Sequence, residues 1–237
     1  GNDTLIISDA TEAFDMSAAA LANISGFENI TMSASTLTVN AAATTAAGGT
    51  LNLTSTTTAT LNAVMGASTD TVVLVDDGWT LGTGADVVTL ANTGITVTKG
   101  STGETITGGT GNDTINFASA FLTLTDTIDG GAGTDVLMAT DEVAIVDADF
   151  TLVENVETLT GSSAAMAVNA TIGGEAAQAG ISTVTFVDTG AAADNLTVAS
   201  GFSSALTVNL DATNGGADDE NEVDASAYTK VLTVATT

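Results

Sequence analysis

A nine-residue pattern rich in glycine constrains the fold of this chain more than any other feature. The pattern is G-G-x-G-x-D-x-U-x, where U is a large apolar residue, and Gly108–Asn116 and Gly130–Met138 match it in full. Glycine adopts backbone conformations that other residues rarely reach, so it bends the chain into a tight turn with inward-pointing carbonyl oxygens. The U residue then starts a short strand that faces a core. The pattern therefore predicts coils that stack on one another.

Degenerate copies of the pattern occur at residues 1–6, 66–72 and 82–88. The two full matches begin 22 residues apart. Turns on the same side of a regular stack of nine-residue motifs would be about 18 residues apart. Four residues are therefore inserted, which argues against direct stacking of the two turns. We expect Ala118–Thr125, between them, to form a strand without a glycine turn.

Strand signals cover most of the remaining sequence. Threonine, valine and isoleucine are frequent, and β-branched side chains fit a pleated sheet. Segments that alternate apolar and polar residues, or form short apolar runs between turns, predict strands. They are residues 37–40, 50–54, 71–75, 87–90, 95–98, 183–187, 196–198, 206–210 and 231–234. Short helices are expected at Met16–Asn23 and Glu175–Ala179.

The aspartate of the motif places a carboxylate beside the carbonyl oxygens of the turn. Such an all-oxygen pocket suits a calcium ion, which takes about 6 to 8 oxygen ligands at roughly 2.3 to 2.6 Å. If two coils stack, their turns lie about 4.8 Å apart, as neighbouring strands do, and can share one ion. We therefore predict calcium as the cofactor. The alternative is that the Gly-Asp turns merely link strands.

The two full motifs resemble the repeats-in-toxin (RTX, haemolysin-type) calcium-binding family, although they cover only 18 residues. The resemblance implies a parallel β-roll. With the strand pattern, we expect an all-β fold: a parallel β-roll or β-helix-like solenoid with glycine-rich calcium-binding turns and a few short helices. The implied ligands are the carboxylates of Asp113 and Asp135 and the carbonyls of Gly109, Gly111, Gly131 and Gly133, with Asp3, Asp86, Asp126 and Asp129 as second-rank candidates.

A longer repeat is also expected. Asp3–Ile6 and Gly26–Thr31 parallel Asp135–Met138 and Leu152–Leu159, which indicates tandem duplication of a unit of about 130 residues. We place the first unit at residues 1–129, with its main calcium-binding turns at 82–129. The second, incomplete unit is residues 130–237 and begins at a calcium-binding turn. The alternative is chance similarity within sequence rich in alanine, threonine and glycine.

Composition excludes several classes of function. The chain has no histidine, cysteine or arginine, so zinc centres, thiol chemistry and histidine-assisted nucleophiles are excluded. A net charge of −27 repels nucleic acid and anionic lipid surfaces. Apolar stretches such as Val72–Val75 are far shorter than the ~20 residues that span a bilayer, so we expect no membrane insertion. Without a nucleophile–base pair, we expect no enzymatic activity.

The remaining sequence is similar to bacterial surface-layer (S-layer) proteins and large RTX adhesins. The similarity rests on alanine- and threonine-rich β sequence, scarce lysine, and the segments Phe27–Ile30 and Val153–Val156. It implies an extracellular protein of a bacterial cell surface, secreted by a type I route whose signal would lie beyond Thr237. We therefore expect a calcium-dependent structural protein that self-assembles into an S-layer or extracellular filament.

Its partners would be copies of itself, with cell-surface polysaccharide as a second candidate. One alternative is an RTX adhesin or stalk module that binds a host or glycan ligand. Another is a calcium-dependent polysaccharide-binding module attached to an enzyme.

Three local features have two interpretations each. Trp79 follows two carboxylates and is either a sugar-binding platform or a packed residue. The acidic segment 218–222 is either a further calcium site or a solvated loop. Lys99 and Lys230 are the only lysines, so an isopeptide bond from either of them to an Asn or Asp can be checked by mass measurement.

Overall fold

The structure is a computed structural model of the 237-residue chain. It describes residues 3–7, 13–15, 26, 29–32, 36–39, 51–55, 62–65, 71–74, 79–81, 85–100, 102–141, 144–161, 169–186, 194–210 and 222–236. The second expected helix is confirmed, as an α-helix that we call α1 (Gly174–Ala179). The helix expected at Met16–Asn23 lies outside the described residues.

Most of the described residues belong to parallel strands in three sheets, which confirms the expected all-β parallel solenoid. The first sheet contains, in spatial order, β1 (Thr4–Ile7), β3 (Asn29–Met32), β5 (Leu51–Ser55), β7 (Thr71–Leu74), β9 (Val87–Leu90), β11 (Thr105–Thr107), β13 (Thr127–Asp129) and β15 (Val153–Glu154). The second contains β2 (Ala13–Asp15), β4 (Thr36–Val39), β6 (Asn62–Met65), β8 (Trp79–Thr80), β10 (Thr96–Thr98), β12 (Thr114–Phe117), β14 (Val136–Ala139), β16 (Thr158–Gly161), β18 (Thr183–Thr185), β20 (Leu206–Leu210) and β22 (Leu232–Thr236). The third contains β17 (Asn169–Ile172), β19 (Asn195–Val198) and β21 (Glu222–Asp224).

Consecutive strands alternate between sheets, so each coil contributes one strand to the second sheet and one to either the first or the third, and stacks on the coil before it. All nine strands expected from the sequence are present, with ends shifted by at most two residues. Within the described part of the chain, no helix is long and apolar enough to cross a membrane.

The core is built from ranks of apolar side chains that stack along each sheet. In the first sheet Val88, Ile106 and Ile128 are fully buried and lie in register. The second sheet has a corresponding rank of buried side chains in register: Val97, Ile115, Leu137, Leu159, Val184 and Val208. Burial of each Val, Leu or Ile stabilises the fold by about 1.5–3 kcal/mol, so the stacking of identical positions makes the solenoid the favoured arrangement.

The two full motifs stack directly, and the expectation that an insertion separates them is wrong. Strands β12 and β14 pair with Thr114 opposite Val136, and β11 and β13 pair with Thr105 opposite Thr127. Nine residues separate Thr105 from Thr114, and nine separate Thr127 from Val136. The four extra residues therefore lie in the connection from β12 to β13.

That connection is not the strand expected at residues 118–125. It contains a 3-10 helix, Ser119–Phe121, which buries Leu122 beside it. A second 3-10 helix, Asp147–Phe150, lies in the connection from β14 to β15. Both 3-10 helices thus lie in connections from the second sheet to the first, whereas the glycine turns lie in connections from the first sheet to the second.

The boundary placed between residues 129 and 130 does not interrupt the stack, because β12 pairs with β14 across it. One pair of the segments that suggested a duplication lies in different sheets, Thr4–Ile7 in the first and Val136–Ala139 in the second, whereas the strands of the other pair, Asn29–Met32 and Val153–Glu154, both lie in the first. The division into two repeat units stays a prediction.

Candidate calcium site

The two full motifs lie in the connections that lead from the first sheet to the second. We call these connections the glycine arm: residues 91–95, 108–113, 130–135 and 155–157. Gly131 and Gly133 have φ of +89° and +143°, conformations that side chains disfavour. A methyl group at Gly108 would overlap the carbonyl oxygen of Gly130 and lie 2.9 Å from Asp113 Oδ2. The close approach of successive turns therefore requires glycine.

A column of carboxylates runs along the glycine arm. Asp113, Asp135 and Glu157 each precede a strand of the second sheet and occupy equivalent positions in successive coils. Asp113 Oδ1 accepts a hydrogen bond of 2.7 Å from Ile95 N–H. Asp135 Oδ1 accepts one of 2.7 Å from Asp113 N–H, and Glu157 Oε2 accepts one of 2.8 Å from Asp135 N–H. Each carboxylate thus reaches back to a backbone amide in the preceding coil.

The column concentrates negative charge in a buried place. Asp113 is 0% exposed and Asp135 is 1% exposed. Asp135 Oδ2 is buried and has no hydrogen-bond partner among the described residues. Burial raises the pKa of Asp135; the hydrogen bond from Asp113 N–H opposes this rise, and the negative charges of Asp113, Glu157 and Asp129 add to it.

A second column, on the connections that lead back to the first sheet, has the same construction. We call these connections the lysine arm: residues 85–86, 99–100, 102–104 and 118–126. Asp86, Glu104 and Asp126 each precede a strand of the first sheet and are fully buried. Lys99 Nζ forms ion pairs with Glu104 Oε2 and, at 2.9 Å, with Asp126 Oδ1. This column therefore contains its own cation.

The glycine arm contains no such cation. The only other lysine of the chain, Lys230, is exposed between β21 and β22. Both ion pairs found among the described residues involve Lys99. Like charges in successive coils, about 4.8 Å apart as neighbouring strands are, repel one another by about 1 kcal/mol in water and by several times more when buried, and no lysine lies in this arm to offset the repulsion.

The structure brings together six of the residues predicted from the sequence. Asp113, Asp135, Gly109, Gly111, Gly131 and Gly133 lie in stacked turns of the glycine arm. Gly109 C=O accepts a hydrogen bond of 3.0 Å from Ala132 N–H, and Gly111 C=O faces Gly133. Asp129 lies at the start of the same turn, and its Oδ1 accepts hydrogen bonds from Gly131 N–H at 2.9 Å and Asn155 Nδ2 at 2.8 Å.

The structure places the other three candidates elsewhere. Asp86 and Asp126 lie in the lysine arm, where Lys99 supplies the positive charge, so we do not include them in the calcium site. Asp3 is exposed at the first described strand, where its carbonyl accepts a hydrogen bond of 3.1 Å from Asn29 N–H.

Glu157 is a member of the column that the motif search missed. Its turn lacks the glycines, and Asn155 takes the left-handed conformation there with φ of +54°. Asparagine tolerates this conformation better than most residues. The signal that would have identified Glu157 is its spacing, because the column repeats every 22 residues through positions 113, 135 and 157.

The donor set fits calcium only if the backbone takes part. Among the described residues, no three acidic side chains converge as a metal-binding group. Asp135 Oδ2, which has no hydrogen-bond partner among the described residues, and the carbonyl oxygens of the closely packed glycine turns beside it nevertheless provide hard oxygen donors.

Two further sequence features have clear outcomes. Trp79 is 0% exposed and packs in the core, so it is not a sugar-binding platform. The acidic segment 218–222 lies outside the described residues except for Glu222, which is exposed.

Comparison of the chain with protein-family models, with curated proteins and with solved structures finds no significant match.

Proposed function

We propose that the chain is a calcium-dependent structural protein of a bacterial cell surface that self-assembles into an S-layer or extracellular filament. The observation that carries the calcium dependence is the contrast between the two arms. Both arms stack buried carboxylates in successive coils, but only the lysine arm contains a cation. The glycine arm needs a cation from solution.

The residues that would hold calcium are Asp113 and Asp135, with Glu157 above them and carbonyl oxygens from Gly109 and Gly111. When bound, the ion would supply the positive charge that cancels the repulsion within the column. The backbone amides of Ile95, Asp113 and Asp135 already fix the carboxylates in position through short hydrogen bonds.

Binding and folding are then coupled. Without a cation, stacking of the turns at 108–113 and 130–135 brings buried negative charges together and costs free energy. With calcium, the same stacking is favourable, because the free energy of binding becomes part of the free energy of folding. The low calcium concentration inside cells would keep the chain loosely folded until export, and the higher concentration outside would then fold it.

Support for the surface assignment comes from the fold class and the composition. A solenoid is a repetitive scaffold whose coils contact only their neighbours, which suits an extended structural role. Acidic surfaces with few lysines associate only when divalent ions reduce their repulsion, so the same ion would permit assembly.

The test measures calcium binding, fold and assembly on one preparation. We expect isothermal titration calorimetry to detect calcium binding that Asp113→Ala and Asp135→Ala each reduce, and circular dichroism to lose β signal in chelator. Asp224→Asn, at an exposed strand position, is the matched control and should bind as the native chain does. Unchanged stoichiometry in both alanine variants would refute the calcium site.

Electron microscopy decides between structural classes. Calcium-dependent lattices or filaments from the purified chain would support the S-layer or filament proposal. A calcium-loaded protein that stays monomeric and binds a glycan array would instead identify the adhesin or polysaccharide-binding alternative.

A further inference from the structure

Three buried side chains in the lysine arm carry chemistry that calcium binding does not use. Lys99, Glu104 and Asp126 meet with their side chains fully buried. We propose that Lys99 and Asp126 condense to an intramolecular isopeptide bond, and that Glu104 relays a proton in this reaction. The proposal is independent of the calcium site, because it concerns the other arm.

The geometry presents a nucleophile to a carboxyl group. Lys99 Nζ lies 2.9 Å from Asp126 Oδ1 and contacts Glu104 Oε2. A lysine amine that has lost a proton to an adjacent base is a nucleophile for acyl carbon. Glu104 is held in place by a hydrogen bond of 3.1 Å from Gly100 N–H to its other oxygen, Oε1.

Asp126 is surrounded by the donors that acyl transfer requires. Its Oδ1 accepts hydrogen bonds from Gly103 N–H at 2.8 Å and Glu104 N–H at 3.1 Å. Two backbone N–H groups aimed at one oxygen stabilise the charge that develops on it in a tetrahedral intermediate. Its Oδ2 accepts from Thr123 N–H at 2.7 Å and from the Thr123 hydroxyl at 3.2 Å.

The condensation balances in atoms and charge. Glu104 Oε2 takes one proton from the Lys99 ammonium, and the amine then attacks Asp126 Cγ to form the C–N bond. The Cγ–Oδ2 bond breaks, and Oδ2 leaves as water. That water carries two protons that began on Nζ, one passed through Glu104 and one through the Thr123 hydroxyl. One proton stays on the new amide nitrogen, nothing is oxidised or reduced, and the net charge is unchanged.

Burial favours the reaction in two ways. Holding the two groups in contact replaces an encounter in solution with an intramolecular step. A buried ion pair also bears a large desolvation cost, which conversion to a neutral amide removes for Lys99 and Asp126. The new bond would covalently link the connection after β10 to the connection before β13, and so cross-link neighbouring coils at the lysine arm.

The mass of the folded, purified chain tests the proposal directly. We expect an intact mass lower than the sequence mass by one water molecule. Trypsin supplies the second measurement, because the chain has only two lysines and no arginine. After denaturation, trypsin should cut at Lys230, which serves as the internal control, and should not cut at the acylated Lys99.

Variants and a chemical control complete the design. Lys99→Arg keeps the positive charge and a trypsin site, and should show full mass and cleavage at position 99. Glu104→Gln keeps the side-chain shape and should show full mass. A succinimide at Asp129–Gly130 would give the same mass loss. It can be distinguished because it hydrolyses in mild base, which restores the full mass, and because trypsin would still cleave after Lys99.

The native chain alone decides the outcome, so a variant that fails to fold does not affect the conclusion. Mass loss together with resistance at Lys99 supports the isopeptide bond. Full mass, or mass loss with Lys99 still cleaved, would overturn it.

Discussion

Replacement of Asp135 by asparagine should stabilise the calcium-free protein, although it changes a buried, hydrogen-bonded residue. In the native chain the Asp135 carboxylate is 1% exposed, its Oδ2 has no partner among the described residues, and Asp113 and Glu157 lie in the neighbouring coils. Asparagine has nearly the same shape, and its Oδ1 can still accept the hydrogen bond from Asp113 N–H. The substitution therefore removes a charge and keeps the stack.

The magnitude follows from two opposing contributions. A buried charge without compensation costs about 3–5 kcal/mol. A hydrogen bond to a charged acceptor contributes about 1.5–3 kcal/mol, against about 0.5–1.5 kcal/mol for a neutral one, so its weakening costs about 1 kcal/mol. The free energy of unfolding in chelator at pH 7 should thus rise by about 2–4 kcal/mol in Asp135→Asn.

The pH dependence follows from the raised pKa of Asp135, which burial causes. Its neutral form favours folding, so this contribution is fully present below the unfolded-state pKa of about 3.9 and is lost as pH rises through the folded-state value. The stability difference between Asp135→Asn and the native chain should therefore be large at pH 7 and small below pH ~4.

Calcium should reverse the order of stability. The native chain should gain about 4.1 kcal/mol when free calcium is about 1,000 times the dissociation constant, whereas the variant should gain much less. Urea unfolding followed by circular dichroism, with chelator and with calcium, measures both differences. If Asp135→Asn destabilised the chelated protein at pH 7, or if its effect did not change with pH, the charge argument would be refuted.

Three further substitutions and one control test the packing in and around the site. Gly130→Ala would place a methyl group against the Asn155 carbonyl and 2.9 Å from Asp135 Oδ2, so thermal unfolding should show a loss of about 1–3 kcal/mol. In the control, Gly174→Ala, the methyl group would meet only the Gly201 carbonyl oxygen at 3.7 Å within a helix, so this variant should be neutral or stabilising. Asn155→Ala should lose about 1–2 kcal/mol in urea unfolding, because φ is +54° there and the hydrogen bond to Asp129 is removed. The Asp147 carboxylate accepts hydrogen bonds from the N–H groups of Gly173, Glu175 and Ala176. Asp147→Ala should therefore lower the free energy of unfolding by about 2–4 kcal/mol and speed amide hydrogen exchange in α1. An unchanged exchange rate would contradict this role.

The coil architecture could be predicted because its signals are local. Strands are short apolar–polar alternations, and the turns of the two full motifs carry glycine, so both are visible within about nine residues of sequence. The error concerned the four-residue insertion after Phe117. The spacing of the two motifs does not show which connection of the coil contains these four residues, whereas the structure places them between β12 and β13. The insertion does not shift the pairing of β12 with β14, so the glycine turns that precede these two strands stay aligned.

The candidate site was predicted less completely, because charged residues that lie together in the fold are far apart in the sequence. Asp113 and Asp135 were found from the motif, whereas Glu157 lies in a turn where asparagine replaces glycine. Asp126 was assigned to calcium because it precedes a motif, but its partner Lys99 is 27 residues away. Only the three-dimensional stacking shows which carboxylates share a cation and which do not.

The ends of the glycine-arm column limit how much calcium it can hold. Position 95 is isoleucine in the coil before Asp113, and position 182 is serine in the coil after Glu157. Acidic residues therefore face each other across two gaps only, between positions 113 and 135 and between positions 135 and 157. Neighbouring charges about 4.8 Å apart repel by about 1 kcal/mol in water and by several times more when buried, and one divalent ion per gap offsets this repulsion. We therefore expect two ions in this arm. Glu157→Gln should remove one of them and Asp135→Asn should weaken both, because Asp135 borders both gaps; an equal loss from the two variants in calorimetric titration would contradict this arrangement.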